Sequence, residues 1–99
     1  MTDADVLIRL ARTIEARRGA DPESSHTAKL LAKGPAKCAE KFGEEAVEAI
    51  IEAVRGDALA LRREAADSLY HLLVMLAAAE MPFGAVLAEL ELREGTSGV

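Results

Sequence analysis

The sequence has one cysteine, no tryptophan and only three aromatic residues, Phe42, Tyr70 and Phe83. A lone Cys38 excludes an internal disulfide and any metal site built on clustered cysteines. No His or Asp arrangement in the sequence would activate it, so it reads as a small buried apolar residue. Excess positive charge is also missing: 12 Lys and Arg face 17 Asp and Glu, for a net charge of −5. That balance argues against general affinity for nucleic acid or for an anionic membrane surface. Long hydrophobic runs are missing too. The longest nearly uncharged apolar run, "LYHLLVMLAAA" at 69–79, is too short to cross a bilayer as a helix. The N-terminal "MTDADVLIRLARTIEARR" is charged throughout, unlike a signal peptide. Strand alternation, internal repeats and low-complexity tracts are absent as well. The expectation is a soluble, cytoplasmic protein.

What is present favours helices packed on helices: 51% hydrophobic residues, dominated by alanine and leucine, with glutamate and arginine next. The 99 residues make one all-α domain over 1–99, with 95–99 expected as a frayed tail. Asp3 or Asp5 can cap a first helix reaching about Arg18, with Val6, Leu7, Leu10, Ala11 and Ile14 on one side. "GADPESS" breaks the pattern. "HTAKLLAK" predicts a short helix closed by Gly34, and Pro35 suits the first turn of the next, which runs to about Arg55. Gly56 then stops that helix and Asp57 caps another reaching Glu80. Pro82 opens the last segment, "PFGAVLAELELR". From Leu69 to Ala79 the only markedly polar side chain is His71. A helix apolar all round has to be buried all round, and a chain this short has few other helices to do it. The expected fold is therefore a four- or five-helix chain with a central antiparallel hairpin, forming a helical-bundle homodimer or a higher oligomer.

The chemistry concentrates in that hairpin. "KFGEEAVEAIIEAVRG" sets Glu44, Glu45 and Glu48 on one arc of its first helix, and Glu64 and Asp67 neighbour each other on the second. Glu48 precedes Gly56 by as many residues as Glu64 follows it, and Glu45 and Asp67 are matched in the same way. Both pairs stand at equal heights, roughly 12 and 16 Å from the turn. If the faces are turned together, E-x-x-E meets E-x-x-D. Five unpartnered carboxylates would cost several kcal/mol or stay partly protonated. A divalent cation removes that cost, and all-oxygen ligands favour Mg²⁺ or Mn²⁺ over Zn²⁺. One Mg²⁺ leaves the group at about −3 and two at about −1, so one or two ions are compatible. Setting these five aside leaves twelve acids against twelve bases. Taken singly, either motif is more often a solvated helix face; the equal offsets from the turn are what single the five out. Glu40 and Glu52 read as solvated surface.

Lys29, Lys33, Lys37 and Lys41 recur every four residues and are the only lysines in the chain. Beside a Mg²⁺–carboxylate site they suit phosphate oxygens; helix-surface pairing is the competing role for each. Gly43 inside a helix costs up to about 1 kcal/mol, which close approach of a substrate or a neighbouring helix would explain. His71 continues the Asp67 stripe and reads as a hydrogen-bonded core residue more readily than as a substrate contact. Tyr70, Met75 and Met81 read as packing.

"EEAVE" followed by "EAAD" resembles the E-E-x-x-E … E-x-x-D signature of the MazG-like all-α nucleoside-triphosphate pyrophosphatases. Within that superfamily, "TAKLLAKGPAKCAEKFGEEAVEAIIEA" and "EAADSLYHLLVMLA" are similar to the phosphoribosyl-ATP pyrophosphatase family, over about residues 5 to 92. The resemblance implies hydrolysis of phosphoribosyl-ATP to phosphoribosyl-AMP and pyrophosphate, the second step of histidine biosynthesis. It also implies Mg²⁺ held by Glu44, Glu45, Glu48, Glu64 and Asp67, and a helical homodimer. Family members often carry Ser-Tyr-Thr where this chain has Ser25-His26-Thr27. In this reading Lys37 and Lys41 steady phosphates, helped by Lys29 and Lys33. Arg17, Arg18 or a lysine near the 19–34 loop are candidates for the extra ribose phosphate. Two other functions fit the same residues: a house-cleaning pyrophosphatase acting on dNTPs, and a non-catalytic helical dimer.

Overall fold

A computed structural model describes residues 2–96 and 98. Among them are five helices and no strand: α1 (Asp5–Ala16), α2 (His26–Ala32), α3 (Pro35–Arg55), α4 (Ala58–Ala78) and α5 (Phe83–Arg93). The frame is the α3–α4 hairpin, two helices of 21 residues each, about 30 Å long. Only Gly56 and Asp57 separate them. Gly56 takes φ 81°, ψ 17°, a left-handed conformation that a Cβ disfavours. Asp57 then caps α4, its carboxylate accepting the Ala60 N–H at 3.0 Å. A link this short leaves the helices no choice but to run antiparallel and in contact.

The other ends follow from equally local chemistry. Asp3 Oδ1 accepts the Asp5 N–H at 3.0 Å at the start of α1. That helix stops at Ala16, two residues short of the expected Arg18, in a turn leading to Gly19. Ser25 caps α2 by accepting the Ala28 N–H at 3.1 Å. Gly34 and Pro35 separate α2 from α3, so the four lysines do not form one row: Lys29 lies on α2, Lys33 at its end, and Lys37 and Lys41 on α3. α4 closes without glycine. Glu80 adopts φ 59°, while the Glu80 and Met81 N–H groups bond back to the Ala77 and Leu76 carbonyls at 3.0 and 2.8 Å. This is the Schellman arrangement. Past Pro82 the chain turns by 112° into α5. Of the tail expected over 95–99, Ser97 and Val99 lie outside the described residues.

The core sits where α1 and α2 meet the hairpin: Ile14, Leu30, Cys38, Leu73 and Val74 are all buried. Cys38 is the apolar filler expected of it, its thiol directed at the Leu30 carbonyl at 3.2 Å. Arg18 ties the end of α1 to the end of α4 by donating to the Ala77 carbonyl at 2.6 Å. Met81 does not pack as expected; it lies just past α4 and is exposed.

The apolar stretch of α4 is mostly half-buried or buried within the chain. Bare apolar side chains gather instead on the second half of α3, at Val47, Ile50, Ile51 and Val54, reaching 61% exposure at Ile50 and 84% at Val54. Leu59 and Leu69 on α4 and Leu90 and Leu92 on α5 are exposed too. An added Cβ at Gly43 meets nothing within 4 Å, so no neighbouring helix of the same chain explains that glycine. The radius of gyration is 14.7 Å, against about 13 Å for a compact domain of this length.

Candidate metal centre on the helical hairpin

The turn at Gly56 brings Glu45 of α3 opposite Glu64 and Asp67 of α4. Ligand oxygens of these three residues all lie within 4.8 Å of one another. Glu45 and Glu64 are half-buried and Asp67 is exposed, so the cluster opens to solvent on one side and rests on the hairpin on the other. Glu64 registers the crowding. Its pKa is raised above the ordinary glutamate value, first by desolvation, then by a hydrogen bond with Glu45, and then by the charges of Glu45, Glu48 and Asp67.

The outer members stand differently. Glu48 is exposed and acts on Glu64 through its charge. Glu44 is exposed and paired with Lys41, Nζ to Oε2 at 3.4 Å. Glu44 and Glu48 therefore flank the three oxygens that converge. Lys37 pairs with Glu40 at 3.3 Å, and Glu52 with Arg55 at 3.1 Å. The Lys37–Glu40 and Lys41–Glu44 pairs are solvent-accessible and contribute about 0–1 kcal/mol, so Lys37 and Lys41 are easily redirected to an incoming anion; Glu52, expected as solvated surface, is instead only 14% accessible. Lys29 and Lys33 are exposed. Arg18 is engaged elsewhere, bound to Glu15 and to the Ala77 carbonyl. Ala77 lies ten residues beyond Asp67 on α4, roughly 15 Å along the helix.

The donor set fits a hard divalent cation. Its three converging groups are carboxylates, and opposite ligands of an ion held at about 2.0–2.1 Å stand about 4 Å apart, within side-chain adjustment of the distances seen. The raised Glu64 pKa has the direction expected where carboxylates crowd without a cation between them.

His71 adjoins this centre and corrects one expectation. It is buried, 8% accessible, yet it is not hydrogen-bonded through Nδ1, which has no partner. Burial pushes its pKa down. Glu45 and Asp67 oppose that shift, and His26 and Lys41 reinforce it. Tyr70 does more than pack, since its hydroxyl shares a hydrogen bond with the Thr27 hydroxyl of α2. Helical periodicity within α4 carried no signal of that contact, because its partner lies 43 residues away.

Fold and site together define a class: an all-helical protein whose central hairpin gathers carboxylates able to hold a metal ion. The comparisons with known proteins narrow it. Residues 7–94 match the family described as phosphoribosyl-ATP pyrophosphohydrolase. A phosphoribosyl-ATP pyrophosphatase of Cereibacter sphaeroides is 74% identical over 94 residues, covering 95% of this chain and 91% of that protein. The protein of the same name from Dinoroseobacter shibae is 73% identical, covering 95% and 92%. That of Rhodobacter capsulatus is 70% identical over 93 residues, covering 94% and 90%. The chain belongs to the phosphoribosyl-ATP pyrophosphohydrolase family.

The Glu64 shift has a thermodynamic consequence. A carboxyl whose pKa is higher in the folded than in the unfolded chain binds protons on folding, so its contribution is stabilising in acid and is lost as pH rises through the folded value. Metal-free protein should therefore gain melting temperature as pH falls from neutrality towards the ordinary glutamate range. Glu64→Gln should flatten that dependence and raise the metal-free melting temperature at pH 7–8. Calorimetric melts in EDTA check both; a Glu64→Gln protein that is less stable than wild type at pH 8 would contradict the crowding.

Proposed function

We propose that this protein hydrolyses phosphoribosyl-ATP to phosphoribosyl-AMP and pyrophosphate, the second step of histidine biosynthesis, in the cytoplasm. The observation that carries the reading is the convergence of Glu45, Glu64 and Asp67 in a chain at least 70% identical, over most of its length, to proteins of that name. Glu45, Glu64 and Asp67, flanked by Glu44 and Glu48, hold Mg²⁺, one or two ions per site. The metal these residues would hold supplies charge neutralisation at the triphosphate. The chain's own groups do the rest. The carboxylates fix the position of the phosphates indirectly, and one of the set orients and deprotonates the attacking water. Lys37 and Lys41 leave Glu40 and Glu44 to neutralise phosphate oxygens, with Lys29 and Lys33 further out.

Asp67→Asn should lower kcat/KM for phosphoribosyl-ATP by roughly a hundredfold or more, several kcal/mol of transition-state stabilisation. EDTA should abolish pyrophosphate release, and dUTP and dCTP should be poor substrates. Retained turnover in Asp67→Asn or in EDTA would count against the metal reading. Cleavage of dUTP or dCTP in preference to phosphoribosyl-ATP would favour a house-cleaning enzyme.

The active form is a homodimer in this reading. Support comes from the bare Val47, Ile50, Ile51 and Val54 on α3, a contiguous apolar patch of the kind that marks interaction sites. The expanded radius of gyration points the same way. Ile50→Asp combined with Val54→Asp should halve the mass measured by sedimentation equilibrium. A wild-type protein that is already monomeric at micromolar concentration would remove the dimer from the account.

A further inference from the structure

The second helix is the part of the fold least able to hold itself. α2 has seven residues, and a helix of about two turns is not stable alone in water. One side docks on the core through Ala28 and Leu30, both buried, and the Cys38 thiol of α3 meets the Leu30 carbonyl at 3.2 Å. The other side is polar and open. His26, Lys29 and Lys33 are exposed, and their spacing of three and then four residues sets them on one face.

Burial of Ala28 and Leu30 fixes the depth of α2 but not its roll about its own axis, because apolar contact has no direction. A hydrogen bond has one. The Thr27 and Tyr70 hydroxyls share such a bond across the boundary between α2 and α4. Among the described residues it is the only bond between two side chains that joins different helices; the others span three or four residues of the chain. It also stands at the end of α2 nearest the carboxylates. Thr27 follows His26, whose ring centroid is 6.5 Å from that of His71. Tyr70 lies three residues beyond Asp67 on α4. Glu45, Asp67 and Lys41 all act on His71 through their charges, so the exposed face of α2 begins beside the carboxylate centre.

We propose that the Thr27–Tyr70 hydrogen bond is a latch that sets the roll of α2 and so holds its His26–Lys29–Lys33 face towards the phosphates of the substrate. Thr27 and Tyr70 are positioning residues: neither touches substrate, and both act through the cations of α2. With the latch broken, α2 stays docked through Ala28 and Leu30 while those cations lose their aim. The carboxylates belong to the hairpin and keep their places, so substrate binding suffers and the chemical step does not. The latch rests on the nucleotide reading above.

The test is steady-state pyrophosphate release from phosphoribosyl-ATP, with Mg²⁺, by variants that remove a hydroxyl and little else. Tyr70→Phe or Thr27→Val should raise KM about fivefold and leave kcat within about twofold of wild type. The double variant should match either single one rather than multiply them, because both changes remove the same bond. Thr27→Ser, which keeps the hydroxyl, should stay within about twofold of wild type. Lys29→Ala should raise KM in the wild-type background and add less than about twofold to Tyr70→Phe. Unchanged KM in both single variants, a loss confined to kcat, or multiplying effects in the double variant overturns the latch while leaving the activity and the metal centre standing. An effect of Lys29→Ala that is the same with and without the latch also overturns it. A wild-type protein that does not turn over phosphoribosyl-ATP overturns the nucleotide reading and the latch with it.

Discussion

The constraint on which this molecule turns is repulsion between carboxylates that the backbone forces together. Glu45 and Glu64 sit on opposite limbs of a hairpin whose link is two residues long, with ligand oxygens of both within 4.8 Å; desolvation and then the neighbouring Glu45 raise the Glu64 pKa. The chain cannot relieve the crowding by separating the helices, because the same two helices carry Cys38, Leu73 and Val74 of the core. Relief has to come from outside, as protons or as a cation. At neutral pH a divalent cation is the more effective of the two, since each ion cancels two charges and takes carboxylate oxygens as ligands. In the proposed metal site, the repulsion within the empty centre and its affinity for a cation are the same interaction seen with opposite sign.

The scaffold serves that constraint with inexpensive local devices. A left-handed glycine and an aspartate cap at 56–57 set the hairpin. A serine cap starts α2, and a Schellman closure at Glu80 stops α4 without a glycine. α1 and α2 then lean on α4 from one side, with Ile14 and Leu30 as their buried anchors. The far side of α3 remains uncovered. In a chain of this length, covering the core and presenting the carboxylates already uses every helix, which is why the apolar face of α3 is left for a second copy in the proposed dimer.

Much of this was legible in the residues. Gly34-Pro35, Gly56-Asp57 and Pro82 punctuate the chain with unambiguous backbone chemistry, and the five helices follow from them. Equal offsets of Glu45 and Asp67 from Gly56 led to their meeting, because an antiparallel hairpin converts sequence distance into height. The same counting could not show how tightly each acid joins. Glu48 was matched with Glu64 in height, yet it stands outside the three residues whose oxygens converge, while Glu44 pairs with Lys41. Rotation about the helix axis and side-chain rotamers decide that, and neither is written in spacing. The end of α4 was placed two residues late, since Glu80 occupies a conformation usually assigned to glycine. The partnerless Nδ1 of His71 and the Thr27–Tyr70 bond depend on α2 docking against α4, a long-range contact with no periodic signal. Arg18, a candidate for the extra ribose phosphate, ties two helix ends together in this structure, a long-range contact that spacing does not reveal.

The central claim is that the hairpin's converging carboxylates are a cation site. Its most direct test is a crystal of this protein soaked in Mn²⁺, with an anomalous difference map calculated at the manganese edge. The account predicts a peak at ligand distance, about 2.1–2.2 Å, from oxygens of Glu45, Glu64 and Asp67. No peak at that position in crystals saturated with Mn²⁺, or a peak coordinated by other residues while these three point apart, would contradict it.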